Sequence, residues 1–175
     1  MQSRRILLRP LRPSDLEDFL AYRSDPAVSR YQDLHPFSRE EAVRFLEEQQ
    51  HFALGKPGRW VQIGIELREE EKLIGDCAVQ FLDAERKRVE IGYTLHPAYQ
   101  GRGLATEAVG TLVEQLFSEY KAEEVTALVD ARNPPSWRLL ERLGFEREAV
   151  LKDNYYDEAE GAWFDEYRFV MSHES

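Results

Sequence analysis

The sequence has little cysteine and lacks a metal-binding histidine pattern. It also has fewer basic than acidic residues. Cys77 is the single cysteine among 175 residues, which excludes an intrachain disulfide and a cysteine-based zinc site. The four histidines lack the H-E-x-x-H spacing of a catalytic zinc site, so we expect no metal. The 23 Lys and Arg against 33 Asp and Glu give a net charge of −10. This balance argues against a nucleic-acid partner, which is bound by neutralising phosphates.

Long apolar segments are also absent. No stretch approaches the about 18 apolar residues of a membrane-spanning helix. The N-terminus carries basic residues and then only a short apolar run at 6–8, too short for a secretory signal peptide. We therefore expect a cytoplasmic protein without a membrane partner, either a monomer or a homodimer, in which residues 1–175 form a single domain.

Alternating periodicities predict an α/β fold (α+β in some schemes) with a mixed, largely antiparallel sheet. Capping boxes that begin at Ser14 and Ser38 predict two N-terminal helices. The strongest helix signal is the apolar stripe from Leu104 to Phe117. A short helix is expected at 136–142, stopped by Gly144. Strands are expected at 6–11, 60–67, 73–82, 88–95, 125–129, 145–151 and 163–171, with an acidic loop at 153–161.

The clearest chemical signal is a glycine turn between a strand and a helix, Gln100-Gly101-Arg102-Gly103-Leu104-Ala105. Free N–H groups and the helix dipole attract anions there, and glycines let a phosphate approach the backbone, so we expect a phosphate or pyrophosphate. An ordinary strand–helix turn would use the same glycines. A Walker P-loop is excluded because Leu104-Ala105 replaces Lys-Ser/Thr. A dinucleotide fingerprint stays open, with Thr106 as its third small residue and Asp130 as its acid.

A second motif, from Asn133-Pro134-Pro135-Ser136 to Gly144-Phe145, follows a later strand. Together with Gln100-x-x-Gly103-x-Ala105, it resembles the GNAT superfamily of acetyl-CoA-dependent N-acetyltransferases, over nearly the whole chain. Three segments look more like the RimJ/RimL type, which acetylates ribosomal-protein N-termini: 6–11, 90–93 and 161–165. The resemblance implies a mixed, largely antiparallel central sheet of about seven strands with about four helices, splayed at the cofactor cleft.

The resemblance also implies which residues hold acetyl-CoA (CoA), the co-substrate. The pyrophosphate is expected on the glycine turn, and the pantetheine arm is expected to pair with the splayed strand before it, whose N–H also polarises the thioester carbonyl. The Asn133 side chain is expected to bind the pantetheine. Arg142 is expected to lie on a solvated helix face. The expected cofactor contacts are Tyr93, Thr94, Leu95, Gln100, Gly101, Arg102, Gly103, Leu104, Ala105, Thr106, Asn133, Ser136 and Arg138.

Acetyl transfer needs a neutral amine, so a base has to take its proton. Glu90, on the polar face of strand 88–95, is the first candidate, and Asp76 is the second. Each is alternatively an ordinary strand acid. The leaving thiolate needs a hydrogen-bond donor, and many members of the superfamily place a tyrosine seven residues after the asparagine, where this chain has Leu140. Ser136 offers a hydroxyl instead, or acts as a helix cap.

By the same resemblance, the acceptor contacts are expected at Tyr31, Gln32 and Asp33, between the N-terminal helices, and at Trp60. The leading prediction is transfer of acetyl to a primary amine, either a protein N-terminal α-amine or a small-molecule amine. The surplus of acids favours a cationic acceptor. One alternative is a catalytically weak acyl-CoA-binding or sensing module with the same fold, suggested by Leu140. Another is a nucleotide-dependent oxidoreductase that uses Gly101 and Gly103.

Overall fold

A computed structural model describes residues 3–32, 35–85 and 87–173. Within these ranges the chain forms seven strands and five α-helices. The strands are β1 (Ile6–Pro10), β2 (Trp60–Leu67), β3 (Lys72–Phe81), β4 (Arg88–Leu95), β5 (Glu124–Asp130), β6 (Glu146–Asp157) and β7 (Ala162–Ser172). The helices are α1 (Leu16–Arg23), α2 (Pro26–Ser29), α3 (Arg39–Gln49), α4 (Leu104–Ser118) and α5 (Pro134–Leu143).

The strands form one sheet in the order β1-β2-β3-β4-β5-β7-β6. β4 and β5 run parallel, whereas the other neighbouring strands pair antiparallel. The predicted mixed, largely antiparallel sheet is therefore confirmed. The helix beyond the predicted four is α2, which has four residues. It begins after Asp25, whose carboxylate accepts a hydrogen bond from Ala27 N at 2.9 Å.

Helices cover both faces of the sheet. One face carries α4 and α5, whose apolar side chains pack with those of the central strands in the larger core. The other face carries α1 and α3, which form a smaller core around Phe19 and Tyr22. Because side chains alternate along β4, Val89 and Ile91 enter the larger core while Glu90 points to the opposite face. We call this second face the α1 face.

One of the two predicted capping boxes is confirmed. At α3 the Ser38 hydroxyl accepts from Glu41 N and the Glu41 carboxylate accepts from Ser38 N. The prediction for Ser14 is wrong, because a 3-10 turn (Pro13–Asp15) precedes α1. There Asp15 forms a bidentate ion pair with the buried guanidinium of Arg9, at 2.8 and 2.9 Å. A buried cation requires such a partner, and the ion pair holds Asp15 at the end of the 3-10 turn.

The apolar stripe of α4 is confirmed, and α5 ends at Gly144, which has a positive φ of 95°. The predicted acidic loop at 153–161 is wrong in its first part, because β6 continues to Asp157 and pairs with β7 up to Ala162. Two register shifts along this pair accommodate the longer strand. In the three described ranges, no helix combines the length and apolar character needed to cross a membrane.

Candidate active site

The central feature of the site is a gap between β4 and β5. These parallel strands pair at four positions, the last being Ile91 with Ala127, and no pairs follow. The ends of the two strands, residues 92–95 and 128–130, therefore border an opening in the sheet. The residues that follow them, which lead into α4 and α5, carry the two sequence motifs.

Backbone groups of β4 face this gap. Arg88 O and His96 N bond to the β3 side, and successive residues of a strand alternate, so the N–H and C=O groups of Tyr93 and Leu95 point toward the gap. Two side-chain amides reach their carbonyls. Gln32 Nε2 donates to Tyr93 O at 3.4 Å, and Gln100 Nε2 donates to Leu95 O at 3.1 Å. The N–H groups of Tyr93 and Leu95 and the second lone pair of each carbonyl remain for an added strand or an amide-containing ligand.

The backbone of Thr94 points to β3 instead, so among the three residues predicted on this strand it does not present backbone groups to the gap. Its hydroxyl donates to Gln32 Oε1 at 3.0 Å. Gln32, a predicted acceptor contact, is thus held against the end of β4 by both the nitrogen and the oxygen of its side-chain amide.

A 3-10 turn (Pro97–Tyr99) joins this edge to the glycine turn. Gly101 and Gly103 have φ values of 76° and 74°, in the left-handed region that favours glycine. A Cβ placed on Gly101 would meet nothing within 4 Å, so the turn is open above this residue. The first backbone bond of α4 runs from Glu107 N to Gly103 O at 3.0 Å, which leaves the preceding N–H groups at 104–106 available. The turn fits a pyrophosphate.

Arg102, Arg5 and Arg142 lie at this turn, and the last two were not expected there from the sequence. Arg102 is exposed and lies over the Tyr99 ring. Arg5 Nη1 donates to Arg102 O at 2.9 Å. Arg142 Nη2 reaches Thr106 Oγ1 at 3.4 Å, in the first turn of α4, and so lies at the turn as well as on a helix surface. Arg138, a predicted cofactor contact, is exposed beside Trp137.

The start of α5 places polar side chains at the gap. Asn133 is the N-cap residue, yet its side-chain amide makes no hydrogen bond to any residue the structure describes. The amide is thus available for a ligand. Ser136 is not the cap residue, because it lies within the first turn of α5, and its Oγ lies 2.9 Å from the Tyr93 hydroxyl. Leu140 is 0% exposed and belongs to the larger core.

Glu90 lies beside the gap on the α1 face. Burial raises the pKa of its carboxyl above the ordinary value, with opposing effects from Arg168, which lowers it, and Glu166, which raises it. Strand registry puts Trp60, Gln80, Glu90 and Thr126 in one row across β2, β3, β4 and β5. Trp60 is 40% exposed and lies two strands from Glu90, about 10 Å away. A half-buried carboxylate with a raised pKa is a suitable proton acceptor.

Asp76, the second candidate base, is a core residue. It is 1% exposed and accepts two hydrogen bonds from the Arg23 guanidinium, at 2.6 and 3.1 Å. The Tyr22 hydroxyl donates a further bond at 2.6 Å. Its carboxylate is occupied by these partners, so Glu90 is the better candidate.

The loop at Tyr31 and Gln32 also contacts the β5 side of the gap, through Arg132 and β6. Arg132 lies between the rings of Tyr31, at 5.3 Å, and Phe164, at 3.3 Å. It also pairs with Asp130 and Asp157, and the Tyr155 hydroxyl donates to Gln32 O at 3.1 Å. Tyr31 therefore contacts a structural arginine in this arrangement. Asp33, the third acceptor residue predicted in this loop, lies outside the described residues.

Two further residues near the gap, Arg132 and Gln62, are not singled out by any sequence motif. Arg132 directly precedes Asn133, but its partners come from three separate segments. Gln62 Oε1 is buried without a hydrogen-bond partner in the described chain. Ala78 on β3 lies beside Gln62 in register, and Gly92 on β4 lies beside Ala78. On the α1 face, small residues therefore lie between Gln62 and the end of β4. The only sequence signal was a polar residue at an inward-facing position of β2.

The sequence model of the acetyltransferase (GNAT) domain matches residues 5–146. An uncharacterized N-acetyltransferase of Bacillus licheniformis, p20, is 32% identical over 171 residues, covering 98% of this chain and 94% of its own. The ribosomal-protein-S5-alanine acetyltransferase of Vibrio fischeri has a TM-score of 0.84 at 22% identity, covering 100% of this chain and 97% of its own. The spermidine N-acetyltransferase of Vibrio cholerae, solved with CoA and spermine, has a TM-score of 0.82 at 20% identity, covering 96% and 95%.

Proposed function

This chain belongs to the GNAT acetyltransferase family and is an N-acetyltransferase, and we propose that it transfers acetyl from acetyl-CoA to a primary amine of a cationic acceptor by direct attack. The observation that carries the proposal is the gap between β4 and β5. It has an open glycine turn at its end and a half-buried carboxylate, Glu90, beside it.

The residues around the gap fit CoA. The N–H groups of the glycine turn and the exposed Arg102 would bind the pyrophosphate. Tyr93 and Leu95 would bind the pantetheine arm through their backbone groups, and Asn133 would bind it through its free side-chain amide. When bound, acetyl-CoA supplies an activated thioester. The Tyr93 N–H faces the gap at the last β4 residues and would polarise the thioester carbonyl.

Glu90 is proposed to accept the amine proton, directly or through one water. Only the neutral amine has a lone pair, and the pKa is about 8 for a protein α-amine and about 10.4 for a lysine-type amine. A base is therefore required near neutral pH. The raised pKa of Glu90 brings it closer to that of the amine, which makes proton transfer less unfavourable.

A cationic acceptor is supported by the charge of the chain and of the site. The net charge is −10. Glu90 and Glu166 lie together on the α1 face, and the cation beside them, Arg168, is paired with Glu124 and Glu148. Proteins with this fold act on a ribosomal protein and on spermidine, as their names state. We propose the same two classes here: the N-terminus of a basic protein, in the manner of the RimJ/RimL type, or a small polyamine.

The test measures free CoA with a thiol reagent after incubation with acetyl-CoA and an acceptor panel. The panel pairs lysine-free basic peptides carrying free or blocked N-termini, and adds spermidine and a neutral small amine. We expect CoA release only with free primary amines, fastest for cationic ones, and a product that mass spectrometry shows to carry one acetyl group. The proposal is wrong if no acceptor raises CoA release above the rate of hydrolysis.

The buried Leu140 favours one second candidate, a module that binds acyl-CoA with little turnover, because the usual tyrosine is replaced by a core residue. Calorimetry distinguishes the two functions. A sensing module would bind acetyl-CoA and CoA without any acetylated product across the panel, and Glu90→Gln would then leave every measured property of the CoA complex unchanged.

A further inference from the structure

The side chain of Tyr93 spans the gap from β4 to the start of α5. Its hydroxyl lies 2.9 Å from the carbonyl oxygen of Ser136 and 2.9 Å from Ser136 Oγ. The contact joins residues 43 positions apart in the sequence. It occurs one helical turn after Asn133, at the part of α5 that borders the gap.

A hydroxyl near the thiol of CoA cannot come from the residue seven positions after Asn133. That residue is Leu140, whose side chain has no polar atom and which is 0% exposed in the larger core. Ser136 is one turn earlier on α5 and has the hydroxyl. The side-chain group that contacts its Oγ is the Tyr93 hydroxyl.

The two hydroxyls have two protons and can arrange them in two ways. In the first, Tyr93 donates to the Ser136 carbonyl and Ser136 donates to Tyr93 Oη. In the second, Tyr93 exchanges its bond to the Ser136 carbonyl oxygen for one to Ser136 Oγ, and the Ser136 proton is free to point into the gap. The arrangements differ only by rotation of the O–H bonds, so no heavier atom has to move.

We propose that Tyr93 is a positioning residue for Ser136: it donates its proton to Ser136 Oγ and thereby directs the Ser136 hydroxyl at the sulfur of CoA. This inference rests on the proposed function, because it assigns a task to Ser136 in the same site. It adds a role for the side chain of Tyr93, whose backbone alone is otherwise needed at the gap.

The balance of the step is simple. The amine nitrogen bonds to the carbonyl carbon, Glu90 accepts the amine proton, and the carbon–sulfur bond breaks with both electrons left on sulfur. Ser136 donates a hydrogen bond to that sulfur while Tyr93 donates one to Ser136 Oγ. Neither hydroxyl loses its proton. Burial raises the pKa of Tyr93 above its ordinary value, which keeps it protonated as a donor at neutral pH.

The test uses Tyr93→Phe, Ser136→Ala and the double variant. Tyr167→Phe is the matched control, because the Tyr167 ring also packs on α5, against Trp137 at 6.2 Å, with no hydrogen bond to Ser136 in the described chain. The first readout needs no acceptor. The ionisation of the bound CoA thiol is followed by the ultraviolet absorbance of its thiolate. The absorbance of the complex with desulfo-CoA, which has no thiol, is subtracted at each pH.

We expect Tyr93→Phe and Ser136→Ala each to lower the thiolate fraction at a given pH by about tenfold, which is one pKa unit. The double variant should match Ser136→Ala, because the two residues act in one chain of hydrogen bonds. CoA affinity should change by less than about twofold. With an active acceptor, Tyr93→Phe should lower kcat by about tenfold and leave the KM for acetyl-CoA nearly unchanged.

Other outcomes overturn the inference. If Tyr93→Phe titrates like the wild type, or if the two single effects add in the double variant, Tyr93 does not act through Ser136. A parallel loss of CoA affinity and thermal stability would assign Tyr93 a packing role only. If the wild-type chain does not bind CoA, the proposed function fails together with the inference. If it binds CoA and all variants titrate alike, the inference alone fails.

Discussion

Arg5 and Glu107 form an ion pair, at 2.6 Å, that joins the start of the chain to the first turn of α4. The same guanidinium donates to Arg102 O in the glycine turn. A negative charge on the first turn of a helix normally competes with an anion bound at its N-terminus. Arg5 pairs with Glu107, and we therefore expect it to favour the proposed binding of a pyrophosphate at the N-terminus of α4.

The first prediction concerns this pair. Arg5→Ala should weaken CoA binding about five- to tenfold, because Glu107 is then uncompensated near the phosphates. Arg5→Ala/Glu107→Gln should return to within about twofold of the wild type. Calorimetry at low salt measures both affinities, since salt screens such charges. A double variant as weak as Arg5→Ala would mean that Arg5 contacts CoA itself.

The second prediction separates backbone strain from ligand binding. Gly101 and Gly58 have φ values of 76° and 80°, and a Cβ on either would meet nothing within 4 Å. Alanine at each position should destabilise the fold similarly, by about 1–2 kcal/mol in urea unfolding. Only Gly101→Ala should weaken CoA binding, by tenfold or more, because its methyl group occupies the phosphate site. Equal CoA affinities in the two variants would remove the glycine turn from the site.

The third prediction concerns the pH dependence of transfer. Because burial raises the pKa of Glu90, wild-type kcat should rise with pH through that raised value as the carboxyl becomes a base. Glu90→Gln should lose this limb and lower kcat by about 100-fold, leaving only the titration of the amine. The exposed Glu146 on β6 is the control, and Glu146→Gln should keep the wild-type profile. A profile that is identical in Glu90→Gln excludes Glu90 as the base.

The raised pKa has a further consequence for stability. A carboxyl whose pKa is higher in the folded state contributes its full stability below the unfolded pKa and loses that contribution as the pH rises through the folded pKa. Glu90→Gln should therefore unfold at slightly higher urea than the wild type at neutral pH, and the difference should shrink on acidification. A difference that grows on acidification contradicts the assignment of the shift.

The last prediction concerns the buried pair between Arg23 and Asp76, which are 5% and 1% exposed. Asp76→Asn leaves a buried guanidinium without a counter-charge and should cost about 3–5 kcal/mol in urea unfolding. Glu17 pairs with Arg39 on the surface, so Glu17→Gln should have no measurable effect. If Asp76→Asn keeps full stability and lowers only kcat, Asp76 belongs to the catalytic machinery.

The elements that could be predicted from the sequence are those with local causes. The stripe of α4, the glycine turn and the cap at Ser38 depend on residues within a few positions of one another. The predicted cap at Ser14 was wrong because the neighbouring Asp15 pairs with Arg9, which lies on β1. At the site, both sequence motifs pointed to the N-terminal ends of α4 and α5, since each motif lies between a strand and a helix.

The sequence by itself determined the family resemblance, the glycine turn before α4 and the polar face that holds Glu90, because periodicity and turn chemistry are properties of neighbouring residues. Only the tertiary structure decided that Asp76 is a core ion pair with Arg23 and that the Tyr93 hydroxyl meets Ser136. These contacts join residues 53 and 43 positions apart. They exist because β4 separates from β5 and because helices pack on both faces, which no local pattern records.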